Sequence, residues 1–277
     1  MSLHVRRNKF TAGGVNIHVL SVGEGEPLVL LHGLGASSYS WRCVLPSLGE
    51  RFQVHALDWP GFGRSSQPLD FDYSVDGLKN WLGLFFDTMG WERAYLAGNS
   101  MGGMAALAFA TANPKRVARM ALLGTPVYAE NKPRFLWPLR WPLIGKVFEA
   151  CLGPIAVKAI AKTAFVDKTK VTKELVGEYS LALRTKAGRR AVAEFMRNAI
   201  PPDISARVAA YADLRVPTLI MVGDHDGMVS VESAQLFAKT LYRGKLAVVK
   251  DCGHVPQEEK PAETAAALLK FFTPSST

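Results

Sequence analysis

The chain has 277 residues, 48% of them apolar and 21% charged, a balance that buries a large core and points away from a disordered protein. Its net charge is +9, yet between Pro126 and Ala210 there are 15 Lys and Arg against 7 Asp and Glu, so nearly all the excess sits in one third of the sequence. That distribution argues against a polyanion binder, and no nucleic-acid partner is expected. Cys43, Cys151 and Cys252 are too few and too scattered for a disulfide framework or a metal cluster. The opening MSLHVRRNKF has no apolar core behind its charges, and no run of about 18 apolar residues occurs. A cytoplasmic protein is therefore expected.

In chain order, apolar runs bounded by turn residues occur at VNIHVL, PLVLL, FQVHAL, AYLAG, RMALLG, PTLIMVG and KLAVVK. Most are continuous rather than alternating, as in buried strands of a largely parallel sheet. Helical stretches separate several of them: Tyr73 to Met89, Met101 to Thr111, Glu232 to Leu241 and Ala262 to Phe272. Alternating strand and helix means an α/β fold, a mostly parallel central sheet flanked by helices. One interval is too long. The run ending at Leu123 is followed by PTLIMVG only at Pro217, with helical segments KVFEACLG, TKELVGEYSLALRT and GRRAVAEFMRNAI between them. This predicts a core of residues 1–125 and 211–277 and a basic helical cap inserted over 126–210.

The junction AYLAGNSMGGMAALAFA places Ser100 between a strand and a helix, inside G-N-S-M-G. In a G-x-S-x-G elbow the residues two before and two after the serine nearly collide, so Gly98 and Gly102 have a steric reason to lack side chains. Gly103 lets the following helix lie close to the sheet. A serine is inert at neutral pH without a base. Two late loops supply partners: GDHDGMV places Asp226 past one strand end and KDCGHVPQEE places His254 past the next. The order Ser, Asp, His is the one this architecture expects. Asp224 competes with Asp226 for the acid role. The HG turn of LVLLHGLG, with His32 and Gly33 as its frame, makes the Leu34 N–H one oxyanion donor, and the Met101 N–H is the second. Asp58, Gly61, Gly63 and Ser65 are read as shaping a turn near the site, and Cys252 as a small buried filler.

Through HGLG, DWPGFGRSS, GNSMGG, GDHDGMV and CGHVPQEE the chain resembles the α/β-hydrolase fold superfamily over almost its whole length, and the resemblance implies Asp226, three residues after the strand-ending glycine, rather than Asp224 as the acid. HGLGASSYSWR is similar to a segment of haloalkane dehalogenases and epoxide hydrolases, but those carry an aspartate where this chain has Ser100. GNSMGG also resembles the meta-cleavage-product hydrolases, which cut carbon–carbon bonds. That subfamily has a longer glycine-rich oxyanion loop and a tryptophan after the histidine, where this chain has Val255.

The reading is a serine hydrolase with a Ser100, His254, Asp226 triad, acting on a moderately apolar carboxylic ester through an acyl-enzyme. Carbon–carbon hydrolysis is the runner-up, and a ligand-binding protein without catalysis the alternative from another class. No cofactor, no metal and no obligate protein partner are implied. FLWPLRWPLIGKVFEACLG mixes aromatics, leucines and cations, which leaves a weak contact of the basic cap with an anionic membrane or acidic substrates as an expectation. Its prolines break any single long amphipathic helix and favour a cap over the pocket.

Overall fold

The computed structural model describes residues 4–128, 142–199 and 203–273. Strands β1 (Arg6–Ala12), β2 (Val15–Val22) and β3 (Pro27–Leu31) lead into helix α1 (Leu45–Gly49) and strand β4 (Gln53–Leu57). Helix α2 (Val75–Thr88), strand β5 (Ala94–Asn99), helix α3 (Met101–Ala112) and strand β6 (Val117–Leu123) follow. Helices α4 (Pro142–Cys151), α5 (Pro154–Ala164), α6 (Lys173–Tyr179), α7 (Lys186–Asn198) and α8 (Ile204–Tyr211) occupy the described part of the long interval. The chain then returns as β7 (Thr218–Gly223), α9 (Val231–Thr240), β8 (Gly244–Val249), α10 (Pro256–Glu259) and α11 (Pro261–Phe272).

The strands form one sheet in the order β1-β2-β4-β3-β5-β6-β7-β8, with only the β1–β2 and β2–β4 pairs antiparallel. Inner strands are buried on both faces, which is why they read as continuous apolar runs. Alternate side chains feed two cores. Val29, Leu31 and Leu96 join the α2 and α3 side, while Leu28, Leu30 and Ala97 join the α1 and α11 side. Helix α2 shows its buried face in Leu78, Trp81, Leu82, Phe85 and Phe86, and Ser74 caps it by accepting from the Gly77 N–H.

Two edge strands depart from the expectation. β1 is absent from the predicted runs because its Arg6, Arg7, Asn8 and Lys9 stand on a largely exposed ribbon paired only with β2. Charge on an edge strand discourages pairing with a further chain. β8, expected as buried, is mostly half-exposed, and Val248 is an exposed side chain. In the long interval α5 and α8 were not among the predicted helical segments, and no helix of the described residues is long and apolar enough to cross a membrane.

Strand order reverses between β3 and β5, the point where sheets of this kind open a crevice at the carboxyl ends of their strands. The loops after β3, β5, β6, β7 and β8 all leave the sheet at that edge.

Candidate active site

The β5–α3 junction is as tight as the sequence requires. Ser100 has φ 53°, a left-handed conformation that a non-glycine residue holds only under steric strain. A Cβ on Gly98 would stand 2.4 Å from the Gly102 carbonyl oxygen, and one on Gly102 would stand 2.2 Å from that of Leu31. Gly103 is required for a neighbouring reason: a Cβ there would meet Thr125 Oγ1 at 1.9 Å and the Gly98 carbonyl oxygen at 3.0 Å. The Ser100 N–H donates to the Leu123 carbonyl at 2.9 Å, so β6 also holds the turn.

His254 and Asp226 meet beside this elbow. His254 Nδ1 lies 3.0 Å and 2.9 Å from the two oxygens of Asp226. Asp226 Oδ1 also accepts from the Met228 N–H at 2.8 Å and the Val229 N–H at 3.1 Å, which fixes the carboxylate in place. With Nδ1 donating to Asp226, Nε2 is left as an acceptor. Nε2 is buried and has no hydrogen-bond partner among the described residues. Ser100 and His254 line one cavity of about 190 Å³. Asp224 is elsewhere, with Oδ1 on His225 Nδ1 at 2.7 Å and on the Cys252 N–H at 3.2 Å.

Gly33 and Leu34 line the same cavity as Ser100. Met101 is the first residue of α3, where helix N–H groups lack intrahelical partners. Neither the Leu34 nor the Met101 N–H donates to a main-chain or side-chain acceptor among the described residues. His32 is buried behind them. Its Nδ1 donates to the Gly33 carbonyl at 2.8 Å and its Nε2 accepts from the Trp59 N–H at 3.1 Å. Both ring nitrogens are thus committed to the HG turn, and burial depresses the His32 pKa, so the ring is neutral and structural.

Asp58 stands beneath that turn and accepts from the Ser38 N–H at 2.6 Å, the Arg64 N–H at 2.8 Å and His18 Nδ1 at 3.1 Å. Burial works against its charge, but these bonds outweigh it and hold its carboxyl below the usual range. Gly63 belongs to this turn because a Cβ there would lie 2.2 Å from Asp58 Oδ2. The Cys252 side chain is buried, and burial pushes its thiol up to about 12, which makes it a filler rather than a nucleophile.

The walls of the cavity are almost wholly apolar. Leu152, Val157, Ile160, Ala161, Phe165 and Met196 come from the inserted helices and their connections, and Val255 follows His254. No Lys or Arg is among the described lining residues.

A family model described as the alpha/beta hydrolase fold matches residues 26–261. The chain belongs to that family. A 2-hydroxy-6-oxo-2,4-heptadienoate hydrolase of Pseudomonas putida is 30% identical over 265 residues, covering 90% of this chain and 90% of that protein. A crystallised meta-cleavage product hydrolase from Pseudomonas fluorescens is 25% identical, with a TM-score of 0.82 over 97% of this chain and 98% of that one. A membrane phospholipase A is 28% identical, with a TM-score of 0.75 over 96% and 85%.

Within this hydrolase several residues near the site were not singled out by the sequence. Asn99 lines the cavity, and its Nδ2 donates to the Leu123 carbonyl at 3.1 Å and to the His254 carbonyl at 3.0 Å, joining the ends of β5 and β6 to the loop after β8. It stood inside the quoted GNSMGG, the signal that marks it. Gly124 has φ 51°, and a Cβ there would meet His254 Nδ1 at 2.9 Å and Asp226 Oδ2 at 3.0 Å. Glu259 is buried, accepting from the Gly253 N–H at 2.7 Å through Oε2 and from the Val166 and Asp167 N–H groups at 2.8 and 3.0 Å through Oε1. Tyr179 lines the cavity and its hydroxyl donates to buried Glu258, which also takes Arg42 at 2.8 Å. Only a folded chain brings those partners within reach.

Proposed function

We propose that this hydrolase cleaves carboxylic esters with an apolar acyl or alcohol part, with 126–210 as a cap over a core of 1–125 and 211–277. In this reading Ser100 Oγ attacks the ester carbonyl carbon while His254 Nε2 takes its proton. Asp226 fixes the imidazole tautomer and stabilises its cationic form. The tetrahedral oxyanion receives the Leu34 and Met101 N–H groups, each worth about 3 kcal/mol of barrier lowering. Collapse breaks the carbon–oxygen bond, and His254 returns the proton to the leaving alkoxide. Water then attacks the acyl-enzyme with His254 again as base, releasing the acid and restoring the Ser100 hydroxyl. Serine–histidine hydrogen bonds in empty sites are often long and tighten with substrate.

The observation that carries the ester reading is the cavity wall. A dienoic acid brings a carboxylate, and burying that charge without a cation is expensive. The described lining offers none, whereas an uncharged ester suits it. The names of the Pseudomonas relatives favour the second reading, carbon–carbon hydrolysis of a dienone acid.

Turnover of short p-nitrophenyl esters tests the proposal, together with labelling by a fluorophosphonate. Ser100→Ala and His254→Ala should lose labelling and turnover by roughly 10⁵-fold or more, and Asp226→Asn by roughly 10⁴-fold. Equal labelling of the wild type and Ser100→Ala ends the reading, and faster turnover of a dienone acid than of any ester selects the second one. Turnover of neither substrate class by the wild type supports a binding protein.

A further inference from the structure

Helix α5 separates two environments. Its Val157, Ala161 and Ala164 line the cavity, while Ile155, Lys158, Ala159, Lys162 and Thr163 are exposed on the opposite side. A residue turns 100° about a helix axis, so 155, 158, 159 and 162 share one outward stripe. Ile155, in the first turn of the helix, is 88% exposed. Ile160 stands between the two sides: it lines the cavity and is also 49% exposed. Ile160 lies about 100° round the helix from Ala159, with exposed Thr163 between them, so the cavity rim is at the flank of this outer face.

The charge on this face has one sign. PIAVKAIAKTA contains two lysines and no acid. Asp167, the nearest acid in sequence, has its carboxylate on the Thr169 N–H and hydroxyl. Glu149 of α4 lies within the electrostatic reach of Arg190 instead. A second copy docked symmetrically would set these lysines against themselves, so a self-interface is disfavoured. A basic stripe of Lys158 and Lys162 carrying one exposed isoleucine, in the insertion that holds nearly all of the excess positive charge, matches an anionic lipid surface. The FLWPLRWPLIGKVFEACLG stretch lies largely outside the residues whose side chains are described, so α5 alone carries the argument.

We propose that the outer face of α5 seats the hydrolase on an anionic bilayer, with Ile155 inserted among the headgroups and Lys158 and Lys162 on the phosphates. This brings the cavity rim at Ile160 against the lipid. It deepens the ester reading by naming an acyl ester held in that surface as the substrate class, while the docking itself does not depend on catalysis.

Flotation of the full chain with vesicles of phosphatidylcholine, alone or mixed with phosphatidylglycerol, tests it. Binding is expected on the anionic mixture only and should weaken steeply as salt rises. Lys158→Gln with Lys162→Gln should weaken it about 25-fold, about fivefold per lysine, and Ile155→Ser about tenfold. Both variants should hydrolyse a soluble short ester as the wild type does, which shows that fold and site are intact. A wild type that ignores anionic vesicles overturns the proposal, as do variants that bind like the wild type. A concentration-dependent dimer abolished by Ile155→Ser, without vesicle binding, assigns the face to a second copy and overturns it too. Vesicle binding by a protein inert toward every ester leaves the docking standing and removes the ester reading instead.

Discussion

The loops at the sheet edge and the helices inserted between β6 and β7 hold the same cavity by different means. At the sheet edge the fit is backbone against backbone. Cβ atoms on Gly98, Gly102, Gly223 and Gly253 would fall 2.2 to 2.4 Å from carbonyl oxygens of neighbouring segments. Apart from the Ala164 carbonyl, which packs on Gly253 and accepts from the His254 N–H at 2.8 Å, the inserted helices are tied by side chains: Arg64 to both oxygens of Glu178 at 2.6 and 2.9 Å, Arg207 to both of Asp76 at 2.6 and 3.0 Å, and Tyr179 to Glu258. Steric contacts fix atoms to a few tenths of an ångström. Ion pairs with partly exposed partners tolerate exchange at little cost. In the proposed reading the chemistry rests on the rigid region, and substrate choice on the adjustable one.

The comparison is broken most severely at Gly124. Gly124→Ala places a methyl group against His254 and Asp226 at a backbone conformation alanine disfavours. Ester turnover should fall roughly 100-fold through misplacement of the imidazole, with near-normal circular dichroism. An unchanged kcat would show that this edge is more compliant than its contacts imply.

Glu259→Gln probes the seam between the regions, since one carboxylate binds the histidine loop and the α5–α6 connection together. An amide must turn its NH₂ toward one set of N–H donors, at a cost of about 1–3 kcal/mol. Thermal stability should drop accordingly and kcat/KM should fall several-fold, with the larger part in kcat. If only stability changes, the seam is structural alone.

A pH scan sharpens the core half. His55 is buried against Trp91 with Nδ1 on Ser21 Oγ at 3.1 Å, and burial lowers its pKa to about 4. The unfolded chain binds that proton near pH 6.5 and the folded one does not, so stability is full above pH 6.5 and declines toward pH 4. The melting temperature should fall over that window, and His55→Gln should remove on the order of 3 kcal/mol of the pH dependence. A parallel pair of curves would place the proton uptake elsewhere.

The smallest effect is expected at Arg64→Leu. Both partners of this pair are partly exposed, so stability should change by less than about 1 kcal/mol. KM for bulky esters should move more than kcat, as a shift of α6 across the cavity implies. A large fall in kcat would erase the distinction between the two regions.

How far the site was legible follows from the range of each interaction. The elbow around Ser100 was readable because a side chain on Gly98 would strike the Gly102 carbonyl within the same turn, and a local clash leaves a local pattern, although Gly102 itself is kept bare by Leu31 of β3. His32 was readable as a structural member of the HG turn for the same reason. Gly124, Asn99 and Glu259 were not, because their partners lie in other loops and a lone glycine, asparagine or glutamate looks the same in any loop. β1 escaped because an exposed edge strand needs no apolar run. In the insertion, α5 lies on both cavity and solvent, so its apolar residues follow no single periodic stripe.

The amino-acid order by itself determined the α/β alternation, the strained serine and the chain order of the residues around it, because burial of strands and short-range sterics leave periodic or clustered marks. Only the tertiary structure decided that Gly124 abuts His254 and Asp226, that Glu258 and Glu259 reach into the inserted helices, and that α5 turns Ile155 outward. Those outcomes depend on which distant segments pack together, and the free energy of such packing is shared among residues far apart in the chain.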